Sequence, residues 1–355
     1  MEPKYQFVAD ALRRDIATGL YNDGETLLTE LELSSKYSVS RQTIRQAISL
    51  LESDGLVIRR RGSGTYVTHG PRKHGGVLNV GVITSYITDY IFPSIVRGIE
   101  SVLSGENCVM SLSATYNRTD RERALLTRVL ETPVDGLIIE GTKTALPNPN
   151  IALYERLFER NIPVVFINGY YPQLKQNVHV VTDDEGGGAL AAKVLLSRGF
   201  KRIGGIFKSD DMQGHLRYQG YAAALQAAGL PTSDERVLWF STENKQRFLC
   251  EETGSHFLHH LKEDVDAIVC YNDDIALMLI EQLAQLKLSV PKDISLISFD
   301  NSAFAGICHP KLSTLAHPKD AFGQEAAEKL LRMISGSAEK STALPWELVM
   351  RESIR

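Results

Sequence analysis

The sequence predicts an α/β protein in two parts: a small amino-terminal domain of three helices and a β-hairpin, and a larger, doubly wound α/β domain with two lobes. Three observations support this prediction. Apolar residues recur at helical spacing within residues 40–54, opposite a polar and basic face. Basic residues concentrate between Lys36 and Lys73, although the whole chain has a net charge of −4. From Leu78 onward, apolar strand-like runs alternate with helical stretches.

Two helices are predicted before the one that is suited to contact DNA. Residues 5–18 carry apolar side chains at helical spacing and are followed by a glycine. Residues 30–36 form the second helix, with Thr29 as the expected N-cap and with Leu31 and Leu33 as candidates for its apolar contacts.

The third predicted helix, residues 40–54, is the one suited to contact DNA. Ser40 is its expected N-cap, and Gly55 ends it as a left-handed C-cap. Its buried face is predicted to consist of Ile44, Ala47, Ile48 and Leu51. In a major groove, Arg reads guanine and Gln reads adenine, so the opposite face offers base contacts. That face carries Arg41, Gln42, Thr43 and Arg45.

A basic β-hairpin is predicted to follow this helix. Residues 56–58 and 65–67 have strand-like composition, and the turn at 59–64 contains three arginines and two glycines. Arginines contact phosphates, and glycines let the backbone approach the minor groove. Three helices followed by such a hairpin predict a winged helix-turn-helix.

These segments resemble the GntR family of bacterial regulators. The resemblance lies in Val-Ser-Arg-Gln-Thr-Ile-Arg-Gln-Ala at 39–47, Gly-Leu at 55–56 and Gly-Ser-Gly-Thr-Tyr-Val at 62–67. One departure is Leu28, where the family usually has proline. The resemblance and the chemistry of the third helix together predict these DNA-binding residues: Lys4, Tyr5, Glu30, Arg41, Gln42, Thr43, Arg45, Arg61, Gly62, Ser63 and Gly64.

Residues 69–77 are polar and contain Gly-Pro and Gly-Gly, which predicts a linker between a DNA-binding domain at 1–68 and a second domain at 78–355. In the second domain we predict helices at 93–103, 120–130, 187–197, 216–228 and 273–286. The predicted strands are 78–83, 109–112, 136–139, 164–167, 178–181, 203–207, 237–240, 267–269 and 294–299. These are too many for one sheet, so two lobes joined by crossing segments are expected.

The second domain resembles the LacI-type regulatory domain, itself similar to periplasmic sugar-binding proteins. The matching motifs are Asp-Asp at 183–184 with Gly-Gly at 187–188, Arg-Tyr-Gln-Gly-Tyr at 217–221, Asn-Asp at 272–273 and Phe-Asp at 299–300. Residues 312–315 are expected to begin the last crossover. The resemblance implies a small effector bound between the two lobes.

A GntR-type headpiece on a LacI-type domain resembles the arabinose repressor family of Gram-positive bacteria, particularly at residues 86–94 and 140–143. This resemblance implies a homodimeric repressor that binds pseudo-palindromic, double-stranded operator DNA and releases it when L-arabinose or a similar sugar binds. Another pentose, a hexose, or a purine or nucleoside remains open as the effector. An activator and a solute-binding protein remain open as functions.

A sugar needs carboxylates, Arg and Asn for its hydroxyls and an aromatic ring for its apolar face. Asp183 could instead cap the next helix, although Asp184 is the better candidate for that role, and His317 could simply pack. The candidate effector-binding residues are Ser85, Asp89, Tyr90, Glu140, Lys143, Asp183, Arg217, Asn272, Asp300 and His317.

No catalytic constellation, cofactor motif or metal site is predicted. The glycines at 186–188 lack the Lys-Ser/Thr of a phosphate-binding loop. The four cysteines are scattered without zinc spacing and are expected to be small buried hydrophobes. The chain opens without an apolar signal region and has no run long enough to span a bilayer, which predicts a cytoplasmic protein rather than an exported one.

Overall fold

The structure is a computed structural model that describes residues 3–22, 24–53, 55–60, 63–67, 77–132 and 134–355. Two predicted wing residues, Arg61 and Gly62, lie outside these ranges, as does the predicted linker up to residue 76.

The amino-terminal domain consists of α1 (Lys4–Ala17), α2 (Glu30–Tyr37), α3 (Arg41–Ser53) and an antiparallel hairpin of β1 (Val57–Arg60) and β2 (Gly64–Val67). Thr29 and Glu32 form a capping box at the start of α2. Leu33 is buried, but Leu31 is 57% exposed, so the expectation that Leu31 packs inward is wrong.

Helix α3 has the predicted cap and the predicted buried face. The Thr43 backbone N–H donates to the Ser40 hydroxyl at 3.2 Å, and Gly55 has a φ of +70°. The residues Ile44, Ala47, Ile48 and Leu51 are all buried. Arg59 and Arg60 belong to β1 and not to the turn where the sequence placed them.

In its described residues, the larger domain contains twelve β-strands and eight α-helices. In chain order its first elements are β3 (Leu78–Thr84), α4 (Phe92–Leu103), β4 (Cys108–Ala114), α5 (Thr119–Glu131), β5 (Gly136–Glu140), α6 (Ile151–Glu159), β6 (Val164–Ile167), β7 (His179–Thr182), α7 (Asp184–Ser197), β8 (Ile203–Lys208) and α8 (Met212–Ala227). Then follow β9 (Val237–Phe240), α9 (Glu252–Asp264), β10 (Ala267–Cys270), α10 (Asp273–Gln285), β11 (Ser295–Asp300), β12 (Ser313–Ala316), α11 (Lys319–Ile334), β13 (Thr342–Leu344) and β14 (Glu347–Val349).

These strands form two sheets of six, one in each lobe. Their orders are β13-β7-β6-β5-β3-β4 in the first lobe and β14-β12-β11-β10-β8-β9 in the second. All pairs are parallel except β12 with β14. The chain passes between lobes after β7, after β12 and between β13 and β14, and we call these passages the first, second and third crossover. Polar loops at the strand carboxyl ends therefore face the space between the lobes.

All nine predicted strands of this domain are present, each within two residues of its predicted ends. Residues 312–315, expected to begin the last crossover, mostly form β12, and the sequence analysis does not predict β13 or β14. Among the cysteines only Cys270 is fully buried, and Cys250 is exposed, contrary to expectation. None of the helices that the structure describes has the length and apolar character needed to cross a membrane.

Candidate DNA-binding and effector-binding sites

The amino end of α3 presents two free polar side chains. Arg41 and Gln42 are exposed, and within the described part of the chain neither makes a side-chain hydrogen bond or ion pair. The Thr43 hydroxyl lies 2.9 Å from the Ser40 hydroxyl. An exposed Arg and Gln on the first turn of a capped helix can be inserted into a major groove without first breaking a contact.

Arg45 is held by a second predicted DNA-binding residue. Its Nε donates to Glu30 Oε2 on α2 at 2.8 Å, and its backbone carbonyl accepts from Arg59 Nη2 at 3.1 Å. The Arg45 side chain is 64% exposed, and an ion pair with this much solvent contributes little stability. A DNA group can therefore take the place of Glu30 at small cost.

The wing and the first helix supply the remaining predicted contacts. The Arg60 guanidinium lies 4.8 Å from the Tyr66 ring centroid, and Ser63 Oγ lies 2.6 Å from the Tyr66 hydroxyl. Gly64 has a φ of +122°, a conformation that requires glycine at the tip. Lys4 is exposed and Tyr5 is half-buried at the start of α1.

The effector-site candidates centre on Arg217, which α8 places in the second lobe with only 2% of its surface exposed. Its Nε donates to Asp184 Oδ1 at 2.8 Å, and its Nη1 donates to the Tyr271 carbonyl at 2.5 Å. Nη2 is 4.0 Å from Asp300 Oδ1, which is too long for a hydrogen bond. One edge of the guanidinium is therefore fixed by protein groups, while Nη2 makes no hydrogen bond to the described residues.

Three aromatic rings surround this guanidinium. Its Cζ lies 4.7 Å from the centroid of Tyr271, 4.3 Å from Phe299 and 5.0 Å from Trp346. Aromatic faces attract the delocalised charge and fix the plane of the group. The result is a charged hydrogen-bond donor with a set orientation in a dry environment.

Asp300 is a buried acceptor beside this donor. It ends β11 with a φ of +95°, an uncommon conformation for a residue other than glycine. Burial raises the pKa of Asp300 to about 6, against the opposing effect of Arg217. Tyr90, from the first lobe, also has a positive φ of +63°. Its hydroxyl accepts from the Asp273 N–H at 3.1 Å and donates to the Phe299 carbonyl at 3.3 Å, so it bridges the lobes.

His317, in the second crossover, carries unsatisfied hydrogen-bonding capacity. It is 5% exposed, and neither ring nitrogen has a partner among the described residues. Burial lowers its pKa to about 3, with Lys319 and Arg217 acting in the same direction, so the ring is neutral. A neutral imidazole offers one donor and one acceptor, which fits a hydroxyl group. Asn272 caps α10 by accepting from the Ile275 N–H at 3.1 Å.

Ser85 and Glu140 lie together at the strand ends of the first lobe. Glu140 accepts from the Ser85 N–H at 2.6 Å and from Asn168 Nδ2 at 2.9 Å. Burial raises the pKa of Glu140. Its carboxylate is thus already held by its own lobe.

Besides Ser85 and Glu140, three more predicted effector residues do not join the cluster around Arg217. Asp89 is exposed and accepts from the Thr88 hydroxyl at 3.1 Å. Asp183 is exposed and caps α7 by accepting from the Gly186 N–H at 2.9 Å, so the capping role falls to Asp183 and the buried role to Asp184, the reverse of the favoured expectation. Lys143 pairs with Glu243 of the other lobe.

More contacts join the lobes beside that ion pair. Asn117 Nδ2 donates to Asp211 Oδ1 at 3.2 Å and to Thr242 Oγ1 at 2.7 Å. The Met212 N–H donates to the Thr144 hydroxyl at 3.0 Å. With the Tyr90 bridge, these contacts hold the two lobes together.

Sequence reasoning missed several groups of the cleft. Asp184 and Tyr271 stand next to predicted residues, so the strand-end motifs could have indicated them. Lys208 ends β8, where its partly buried ammonium pairs with Asp211 and lies 3.6 Å from Asp210 Oδ1. Trp346 carried no local signal, since the third crossover was not predicted.

Comparison with known proteins covers both parts of the chain. The model described as "Bacterial regulatory proteins, gntR family" matches residues 4–67, and the "Periplasmic binding protein-like domain" matches residues 192–354. An arabinose metabolism transcriptional repressor of Geobacillus stearothermophilus is 38% identical over 99% of this chain and 98% of its own length. One from Halalkalibacterium halodurans is 35% identical over 99% of this chain and 97% of its own length.

Solved structures match the larger domain. Transcription regulator CcpA of Lactococcus lactis aligns with a TM-score of 0.69 at 24% identity, over 79% of this chain and 100% of that one. Transcription regulator GntR from Chromobacterium violaceum aligns with a TM-score of 0.65 at 28% identity, over 78% of this chain and 98% of that one. A LacI transcriptional regulator from Alkaliphilus metalliredigens, complexed with D-xylulofuranose, has a TM-score of 0.66 at 21% identity over 78% and 99%, and shows the fold alone.

Proposed function

The chain belongs to the family of arabinose metabolism transcriptional repressors, and from this membership we propose that it binds operator DNA and releases it when L-arabinose binds between its lobes. The observation that supports sugar binding is Arg217, a buried arginine whose orientation is fixed by Asp184 and three aromatic rings. Its Nη2 has no hydrogen-bond partner in the part of the chain that the structure describes. A neutral sugar can accept from Nη2.

The surrounding groups supply the other half of hydroxyl recognition. The Asp300 carboxylate can accept a hydrogen bond from a sugar hydroxyl, and the amide nitrogen of Asn272 can donate one. The neutral His317 ring can do both. We place the sugar against these residues, with Tyr90, Ser85 and Glu140 closing the first-lobe side. Asp89, Asp183 and Lys143 are left out of this set because their charged groups are engaged or exposed elsewhere.

On the DNA side, Arg41, Gln42, Thr43 and Arg45 read a major groove. Arg61 and residues 62–64 contact the adjacent minor groove, and Lys4 and Tyr5 contact the phosphate backbone. Glu30, once DNA takes its place at Arg45, can accept a hydrogen bond from a base amino group. A homodimer of headpieces, residues 1–68, joined through residues 69–77 to sensors, residues 78–355, would read pseudo-palindromic operators. Since operator DNA is cytoplasmic in bacteria, we propose that location, and we propose a non-enzymatic role without a cofactor.

Sugar acts as a switch in this proposal because it binds the joined lobes more tightly than the separated ones. The joined form presents the two headpieces at a spacing that no longer fits the operator. Allosteric coupling of this kind is typically about 1–3 kcal/mol.

The test is an electrophoretic mobility shift on the DNA upstream of the protein's own gene. L-Arabinose, other pentoses, hexoses and purine bases are added in turn, and only the true effector should abolish the shift. Arg217→Ala should still shift the DNA but resist release. A protein that shifts no DNA would end the proposal, and release by a purine alone would replace the sugar with that ligand class.

The recognition helix is tested in the same assay with Arg41→Ala. Loss of one base contact by an arginine should weaken operator affinity about tenfold, since such contacts are worth about 1–3 kcal/mol. Because Arg41 has no partner among the described residues, the melting temperature should not change. The matched control is Arg247→Ala, which removes the same charge from an exposed position in the second lobe. Equal affinities of the two variants would show that α3 is misassigned.

A further inference from the structure

Trp346 occupies an unusual place in the larger domain. It lies in the third crossover, between β13 and β14, and is 9% exposed. Its ring packs edge to face against Phe299 at 5.1 Å and against His317 at 5.6 Å, centroid to centroid. One side chain on the third crossover therefore contacts both the second crossover and the strand that ends in Asp300.

The indole also packs against the element that follows the first crossover. Gly187 lies in the first turn of α7, and a Cβ built there would stand 2.6 Å from Trp346 Cδ1 and 2.8 Å from Nε1. Real Cβ atoms essentially never approach a neighbour that closely, so only glycine admits the ring at this position. Trp346, itself on the third crossover, thus contacts His317 of the second crossover and the helix that follows the first crossover.

The same ring faces the effector arginine. Arg217 Cζ is 5.0 Å from its centroid, so the indole is one of the three faces that fix the guanidinium. Tyr271 and Phe299, which supply the other two faces, belong to the second lobe alone. Trp346 packs in the same core of the second lobe, but its backbone lies in the passage between β13 and β14, which joins that lobe to the first.

We propose that Trp346 is a positioning residue that couples the effector arginine to the hinge between the lobes. This inference rests on the proposed function and names the side chain through which sugar binding and lobe closure act on each other. When the crossovers turn, the indole turns with them and sets the plane of the Arg217 guanidinium. By the reciprocity of linked equilibria, sugar held by Arg217 then favours the lobe arrangement that seats the indole.

Two variants disturb this arrangement from opposite sides. Trp346→Phe keeps an aromatic ring but removes the larger indole face. Gly187→Ala leaves the tryptophan intact, favours the helix locally, and displaces the ring by steric conflict. Each should weaken L-arabinose affinity, measured by calorimetry, about tenfold, while operator affinity without sugar stays unchanged. The double variant should bind L-arabinose as tightly as the single variant that has the lower affinity, since both substitutions act on one ring.

A spectroscopic signature separates positioning from mere packing. The chain has two tryptophans, and Trp239→Phe removes the other one, which lies half-buried on β9. The remaining emission comes from Trp346, so L-arabinose should shift it, with a midpoint equal to the calorimetric one. Trp239→Phe also serves as the ring-matched control, with wild-type sugar affinity.

Each outcome is decisive. Wild-type affinity in both Trp346→Phe and Gly187→Ala would overturn the inference, as would unchanged Trp346 emission at saturating sugar. These results would leave the proposed function intact, since the wild-type protein would still bind and respond to sugar. If the wild-type protein binds no sugar, both the proposed effector function and the proposed role of Trp346 are wrong.

Discussion

The polar groups around Arg217 are satisfied to very different degrees. Arg217 is fixed by a carboxylate and a carbonyl, and Asp184 is as deeply buried as its partner. His317, a neighbour of the same cluster, has no hydrogen-bond partner among the described residues. Buried polar groups without partners cost free energy, so a position that keeps one invites a ligand to satisfy it.

The buried imidazole predicts acid sensitivity. Its pKa is about 3 in the folded chain and near 6.5 when unfolded, so the unfolded state binds the proton first. The contribution of His317 to the free energy of unfolding is therefore complete at a pH above the unfolded-state pKa. It falls as the pH is lowered, by about 2 kcal/mol at pH 5. His317→Phe should therefore lose less free energy of unfolding than the wild type between pH 7 and pH 5.

Urea denaturation at both pH values measures this difference. His259→Phe, an exposed histidine on α9, is the control and should follow the wild type. If His317→Phe and the wild type lose the same free energy of unfolding between pH 7 and pH 5, the His317 imidazole is not the cause of the acid sensitivity.

At the scale of elements, one buried carboxylate organises the loop that reaches the other lobe. Glu122 on α5 is fully buried, and Oε1 accepts from the hydroxyls of Tyr154 at 2.7 Å and Tyr171 at 2.6 Å. Oε2 accepts from Asn148 at 2.8 Å and Asn150 at 2.7 Å. Tyr171 also accepts from the Thr142 N–H at 2.7 Å. The network thus fixes both ends of residues 142–150.

Glu122→Gln should weaken this loop. An amide keeps one acceptor but turns a donor toward existing donors, leaving buried groups unpaired at a cost of about 1–3 kcal/mol. The free energy of unfolding should fall by that amount, and sugar affinity should fall with it because the loop contacts the second lobe. Glu131→Gln, exposed on the same helix, should change neither quantity. A Glu122→Gln protein with wild-type stability would show that the network is not coupled to folding.

The sequence predicted elements well where periodicity is local. Apolar strand runs and the α3 pattern are such signals, and they locate α3 and nine strands of the larger domain. The strands β13 and β14 are not predicted, because three residues are too few to show an alternating pattern and their pairing depends on distant segments. The Asp183–Asp184 reversal has a similar origin. Adjacent residues at a strand end point in different directions, and the sequence does not reveal which one turns inward.

For the whole molecule, the predicted role of Lys143 changes once both lobes are considered. Sequence motifs place it in the effector cleft, but the fold brings it to Glu243 across the lobes. Lys143 lowers the pKa of Glu243, as expected for an opposite charge nearby. No sequence pattern within either lobe could predict this contact, because the two residues come from separate sheets.

Exchanging the charges tests whether this pair favours the joined lobes. Lys143→Glu should lower sugar affinity about two- to fivefold, a modest effect because Glu243 is 59% exposed. Glu243→Lys should do the same, and the double variant should recover the wild-type value. The loss should be equal for every sugar that binds, since no hydroxyl contact is removed. Calorimetry on the wild type, the two single variants and the double variant gives a double-mutant cycle. If the two losses of sugar affinity simply add in the double variant, Lys143 and Glu243 do not interact in the way proposed.

Three chain passages link the lobes covalently, so the soft motion left to the lobes is a rotation about those passages. A ligand therefore acts by how far it lets the rotation proceed, and this is a continuous angle. Sugar analogues lacking one hydroxyl would stop the rotation early and behave as partial agonists, lowering operator occupancy to a plateau that more ligand does not change. Competition between such an analogue and the full inducer would then reduce the response.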